Sequence, residues 1–236
     1  NKTEGKINDM RKVNRNAINV KFKFILAGLI LSLNLSIQNG ICEELQVNKA
    51  LDEKVRMFLE KRNGTWQDWN VPYSDGRILY DLILKNKYTK ALEIGTSTGH
   101  SAIWMAWALS KTGGKLITIE IDEGRYNKAI SNFKESGLNE YIDARLADAH
   151  MLVEELTGPF DFVFSDADKD WYTNYFIALA PKLVVGGCFT AHNARNTSMR
   201  GIGEFLDTVE SRPDFQTTIN TTSRAGISIS CRIAVN

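Results

Sequence analysis

The chain has 236 residues, 43% of them apolar, enough for one sizeable hydrophobic core. Its formal net charge of +1 is unevenly spread: residues 1–42 hold seven Lys/Arg against two acids, and the rest holds 22 basic against 26 acidic residues. A mildly acidic body argues against a nucleic-acid partner, and the three cysteines, Cys42, Cys188 and Cys231, lack metal-ligand spacing.

Lys21-Phe-Lys23 precedes Phe24 to Ile37, 14 mostly apolar residues, followed by polar Gln38-Asn-Gly40. At about 1.5 Å per residue this run is too short to cross a ~30 Å hydrocarbon core. It reads as a secretory signal peptide, with a short membrane-surface anchor or an N-terminal extension as the alternatives. Residues 1–42 are therefore set apart as a basic and apolar segment, and 43–236 as a single domain. Membrane contact is expected only through residues 21–37. Cys188 and Cys231 both fall in expected late strands. In an exported protein they are candidates for a disulfide; the plainer expectation is two small buried thiols.

In chain order, residues 43–62 have helical spacing (Leu45, Leu51, Val55, Phe58, Leu59), and Asn63-Gly64 ends that helix. Trp66 to Pro72 is an aromatic loop. Ser74 is the expected cap of a helix to Asn86 that buries Ile78, Leu79, Leu82 and Ile83. Strands are expected at 90–94, 115–120, 141–146, 160–165 and 185–191, alternating with helices at 99–111, 123–136, 148–156, 170–182 and 199–211. Two last strands, 214–221 and 226–235, close the chain. This pattern specifies an α/β fold: a doubly wound, Rossmann-like seven-stranded sheet, mostly parallel, with an antiparallel C-terminal strand pair.

The most informative stretch is Ala91-Leu-Glu-Ile-Gly-Thr-Ser-Thr-Gly-His-Ser101. A buried strand breaks into a glycine turn that feeds a helix, whose free N–H groups point back at the turn. Glu120 ends the next strand and is placed to hold ribose hydroxyls. Gly95-Thr-Ser-Thr-Gly99 is also literally G-x-S-x-G, and Asp166 and His192 follow in hydrolase order. A hydrolase using Ser97 is disfavoured, because the motif closes the first clear strand and no oxyanion-hole loop precedes it. A nicotinamide fold needs G-x-G-x-x-G, which is absent. The looser turn suits a smaller cofactor with a carboxylate and an amine, such as S-adenosylmethionine, with the Ser101 hydroxyl donating to that carboxylate.

A second constellation is Phe160-Asp-Phe-Val-Phe-Ser-Asp166-Ala-Asp168-Lys169-Asp170, a buried strand ending in acids and one lysine. Asp168 or Asp170 has a capping job available; Asp166, at the strand tip, has none. The next strand ends in Gly186-Gly-Cys-Phe-Thr-Ala-His192-Asn193, so His192 and Asn193 should emerge beside Asp166. Asp, His and Asn together can coordinate a divalent ion.

From about Trp69 to Ile233 these pieces, with Asn70-Val71 and Ile119-Glu-Ile-Asp122, resemble the cation-dependent O-methyltransferases related to catechol and caffeoyl-CoA O-methyltransferases. The resemblance implies an S-adenosylmethionine-dependent transferase of the EC 2.1.1 type that methylates an oxygen of a small, catechol-like acceptor. It implies a cofactor pocket formed by Asn70, Val71, Glu93, Gly95, Ser101, Glu120, Asp148, Ala149, His150 and Asp166, with Asp148 and His150 flanking the adenine. It implies Lys169 as the catalytic lysine, Asp166, His192 and Asn193 at a divalent cation (Mg, Mn or Zn), and a homodimer. One position departs from the family pattern: Asp-Asn stands here as His192-Asn193. Three outcomes stay open: a borderline metal, weak magnesium, or no metal with His192 as the base. A cofactor-binding module with impaired catalysis is the alternative. The cofactor points to the cytoplasm, the N-terminal segment to export or anchoring.

Overall fold

The structure, a computed structural model, describes residues 49–233. The expected signal segment, Cys42 and the first residues of the first expected helix lie outside these. The described part of that helix, α1, runs to residue 61. It is followed by α2 (Tyr73–Asn86), β1 (Lys90–Ile94), α3 (His100–Thr112), β2 (Lys115–Glu120), α4 (Glu123–Ser136), β3 (Ile142–Leu146), α5 (Ala149–Glu155), β4 (Phe160–Ser165), α6 (Tyr172–Leu179), β5 (Leu183–His192), α7 (Ile202–Glu210), β6 (Phe215–Asn220) and β7 (Ile227–Arg232).

The seven strands form one sheet in the order β3-β2-β1-β4-β5-β7-β6. β1 pairs in parallel with both β2 and β4, and β7 runs antiparallel between β5 and β6. This is the expected fold, and the expected elements hold to within a few residues. The long apolar strands are covered on both faces. Ala91, Phe162 and Phe164 enter one core with α1, α2 and α3, whereas Leu92, Ile94 and Val163 enter the other with α6 and α7. That period-two split follows from side chains alternating across a strand.

Strand order reverses between β1 and β4. A crevice therefore opens at their C-terminal ends, where open α/β sheets bind ligands. Helices start at this rim with local devices. Asp122 caps α4 by accepting from Arg125 N at 2.8 Å, and Asp148 caps α5 by accepting from His150 N at 2.9 Å.

Two expectations are corrected. Ser74 does not cap α2: Pro72 holds that position, Ser74 lies inside the first turn, and its hydroxyl donates to Asp75 Oδ1 at 3.2 Å. Proline's fixed φ suits a helix start and needs no side-chain acceptor. The two late cysteines are not free thiols. Cys188 and Cys231 face each other in register on β5 and β7 and form a disulfide.

Candidate active site

The first βα corner is built on backbone that favours glycine. Gly95 has φ +96°, and a Cβ there would lie 2.8 Å from the Asp166 carbonyl oxygen and 2.9 Å from Ala167 N. The absent side chain thus lets the turn after β1 press against the chain leaving β4. Gly99, at φ +97°, precedes α3, and a Cβ there would meet the Phe133 ring at 2.5 Å.

Glu120, at the tip of β2, ties this corner to its neighbour. Its Oε2 accepts from Ser97 N at 2.7 Å. Its Oε1 accepts from Ile121 N at 3.1 Å, from Asp122 N at 2.9 Å and from Arg125 Nε at 3.2 Å. A carboxylate braced by four donors is held in one orientation at the rim. Ser97 donates its hydroxyl to the Asp68 carbonyl, with no histidine partner, so the hydrolase reading finds no catalytic dyad here.

A cavity of about 650 Å³ occupies the crevice. Among the expected site residues, Asn70, Gly95, Glu120, Asp148, Ala149, His150, Asp166, Lys169, His192 and Asn193 line it. Asn70 is braced by its own loop and by Thr98: Nδ2 donates to the Gln67 carbonyl and, at 2.7 Å, to Thr98 Oγ1, while Oδ1 accepts from His100 N at 3.2 Å. Val71, Glu93 and Ser101 do not line the cavity. Val71 packs in the core and offers its carbonyl to His100 Nδ1 at 2.8 Å. Glu93 is fully buried and accepts from the Ser101 and Thr118 hydroxyls. Burial pushes its carboxyl up to about 8 against those two hydrogen bonds. The Ser101 hydroxyl thereby donates to Glu93.

The far wall is aromatic and acidic. His150 stacks on Trp171 with ring centroids 3.9 Å apart, and its Nε2 lies 3.0 Å from Asp168 Oδ2. Tyr175 donates to Asp168 Oδ1 at 2.8 Å. Trp69, 89% exposed, and Met199 also line the cavity.

The β4 and β5 tips meet as expected, but with partners that no local pattern announces. Lys169 Nζ donates to Asp166 Oδ1 at 2.8 Å and to the Ala167 carbonyl at 2.9 Å. His192 Nδ1 lies 3.2 Å from Asp166, and His192 Nε2 lies 2.8 Å from Oδ2 of Asp75, a fully buried carboxylate from the first turn of α2. Ser223, in the turn between β6 and β7, donates to the same Asp75 oxygen at 2.9 Å. Burial opposes a charged His192, but the hydrogen bonds and charges of Asp166 and Asp75 outweigh it and carry the imidazole up to about 9. Burial likewise pushes the Asp75 carboxyl up, and the bonds from His192 and Ser223 outweigh it, holding it below its ordinary value.

This geometry bears on both roles expected of His192. A metal ligand and a general base each need a ring nitrogen with a free lone pair. Here both nitrogens face carboxylates, which only accept, so both carry protons. The residues do not fit the divalent ion implied by the resemblance. Of the three proposed ligands, His192 is a cation and Asp166 is engaged by Lys169. Asn193, in a left-handed backbone at φ +62°, is the remaining neutral oxygen donor. Among the described residues no group of three or more His, Cys, Asp or Glu side chains is arranged to hold a metal. Asp75, Ser223 and Arg125 were missed by sequence reasoning. Of these only Arg125 had a signal, lying on the first turn of the helix after Glu120.

Fold and site together define a Rossmann-type α/β protein with a nucleoside-sized crevice at its topological switch point. The O-methyltransferase family model matches residues 43–201, and the chain belongs to that family. It is 41% identical over 111 residues to a catechol O-methyltransferase of Niastella koreensis, covering 45% of this chain and 50% of that protein. It is 32% identical over 124 residues to a caffeoyl-CoA O-methyltransferase of Stellaria longipes, covering 50% and 51%. These matches span about half the length of either relative. An O-methyltransferase from Bacillus cereus, solved in complex with SAH, superposes with TM-score 0.65 at 26% identity, covering 78% of this chain and 90% of that one.

Proposed function

We propose that the chain transfers a methyl group from S-adenosylmethionine to a hydroxyl of a small acceptor, and that Asn70, Gly95, Glu120, Asp148, Ala149, His150 and Asp166 hold the cofactor. The observation that carries this reading is Glu120, braced by four donors at the rim of a cavity of about 650 Å³ beside a Cβ-free turn. A fixed carboxylate there accepts from two ribose hydroxyls, and the glycine turn lets the donor lie against the backbone. His150, stacked on Trp171, offers a flat face to an adenine. Family membership and the SAH-bound relative support the same donor.

The reaction is an in-line displacement. The acceptor oxygen forms a bond to the methyl carbon while the carbon–sulfur bond breaks, its electron pair staying on sulfur and neutralising the sulfonium. The hydroxyl proton passes to the Asp166 carboxylate, the accepting member of the Lys169–Asp166 pair, whose hydrogen bond joins the two groups at 2.8 Å. The sulfonium needs no activation, so the protein contributes mainly alignment. Residues 43–236 act as one catalytic domain in this reading.

The test is calorimetry with S-adenosylhomocysteine. We expect binding to the unaltered protein and a loss of affinity on the order of 100-fold in Glu120→Ala, from two lost charge-assisted hydrogen bonds. No heat with the correctly folded protein would remove the proposal. Lys169→Met should retain that binding and lose turnover with a panel of catechols and other vicinal diols.

A further inference from the structure

The β4–β5 rim holds four charged groups in one cluster: two carboxylates, Asp75 and Asp166, and two cations, Lys169 and His192. Each cation touches Asp166, and His192 bridges to Asp75 on the opposite side. Their formal charges cancel, so the cluster needs no further cation to be electrically satisfied in a buried place. Asp75 is locked from behind by Ser223, whose hydroxyl also accepts from Gly226 N at 3.1 Å. The position of His192 is therefore over-determined: β5 supplies the backbone, Asp166 one partner, and Asp75, brought by α2, the other. To bind a divalent ion, His192 would have to release a proton and break a hydrogen bond to one carboxylate.

We propose that this chain performs its methyl transfer without a divalent cation, the His192 side chain clamped by Asp75 serving as the fixed positive charge beside Asp166, with Asp75 and Ser223 as its positioning residues. The inference rests on the methyltransferase reading above. It assigns the acceptor side of the crevice to Lys169, whose ammonium has a third N–H beyond those given to Asp166 and Ala167 with which to orient the acceptor oxygen. His192, both of whose N–H groups are held by carboxylates, contributes its fixed charge. The bonds made and broken are those of the displacement already written, and the hydroxyl proton again ends on the Asp166 carboxylate.

The decisive experiment needs no acceptor. Mn²⁺ is titrated into the metal-stripped full chain saturated with S-adenosylhomocysteine, and binding is read by water-proton relaxation and by calorimetry, then repeated with Mg²⁺ and Zn²⁺. The expected result is no stoichiometric site at submillimolar ion, with S-adenosylhomocysteine affinity unchanged within about twofold by EDTA. His192→Asp, which supplies an oxygen ligand and removes the resident cation, is expected to gain a Mn²⁺ site. Asp75→Asn serves where that variant fails to fold. It should keep S-adenosylhomocysteine affinity while kcat falls about tenfold or more, through loss of one charge-assisted hydrogen bond, and KM for the donor stays level. A Mn²⁺ site in the unaltered protein that Asp166→Asn abolishes would overturn the inference, as would diol turnover that EDTA stops and Mn²⁺ restores. If the stripped protein binds neither S-adenosylhomocysteine nor metal, the methyltransferase reading fails first and takes this inference with it.

Discussion

His100 and His192 are both buried, and each has a partner on both ring nitrogens, yet they hold opposite charge states. His100 opens α3 beneath the glycine corner. Its Nδ1 donates to the Val71 carbonyl at 2.8 Å and its Nε2 accepts from Trp104 Nε1 at 3.1 Å. One donor and one acceptor fix a neutral tautomer, and Trp66 covers the ring at 4.6 Å between centroids. Burial drives this imidazole down to about 4, against the bond to Val71. His192 instead has two carboxylates and rises to about 9. The same side chain is a wedge in a buried aromatic shelf beneath the glycine corner and a fixed cation at the rim of the crevice. Charge state follows from partners, not from depth.

The shelf should break most sharply at Trp104, which packs against Tyr73 at 4.8 Å and Tyr80 at 6.0 Å between ring centroids. Trp104→Ala is expected to cost about 4 kcal/mol, measured by urea unfolding. The bonds of the His192 cage touch no atom of that shelf.

Next in size is an acid effect. The unfolded chain protonates His100 near its ordinary 6.5, the folded chain only near 4. Stability from this group is therefore complete above about pH 6.5 and is lost as pH falls toward 4. The gap corresponds to about 3 kcal/mol. Melting curves between pH 7 and 4 should show it, and His100→Gln should flatten that part of the profile.

The cage is tested more gently by Ser223→Ala. Losing a buried hydroxyl that donates to Asp75 and accepts from Gly226 N is expected to cost about 1–2 kcal/mol. The His192 Nε2 proton resonance should shift, whereas the Trp104 indole signal should not. The smallest effect belongs to Arg125, whose side chain is 33% exposed beside Glu120. Arg125→Ala should change stability by less than about 1 kcal/mol. It should also change S-adenosylhomocysteine affinity by less than about threefold, because three backbone amides still hold Glu120.

The β1 corner was legible because everything it needs is local: an apolar strand, two glycines, and a carboxylate at the end of the next strand. The sheet followed from the alternation of strand and helix patterns, and Asp166 stood out as a strand-tip acid without a capping job. The placement of Ser74 failed because Pro72 supplied the helix start directly. Cys188 and Cys231 were left as thiols because pairing depends on register between β5 and an antiparallel β7, which the spacing of the cysteines does not encode. The bond from Ser101 to Glu93 was not legible, because it joins the first turn of α3 to a residue inside β1 through the fold of the glycine corner.

Sequence alone determined the doubly wound sheet, the glycine corner and the row of strand-tip residues facing the crevice, since period and turn chemistry act over a few residues. Only the tertiary structure decided what His192 is. Asp75 lies 117 residues before it, and Ser223 lies 148 residues beyond Asp75. No short-range pattern links the three, but packing of α2 and the β6–β7 turn against the β5 tip brings two carboxylates to one imidazole and so holds it as a cation.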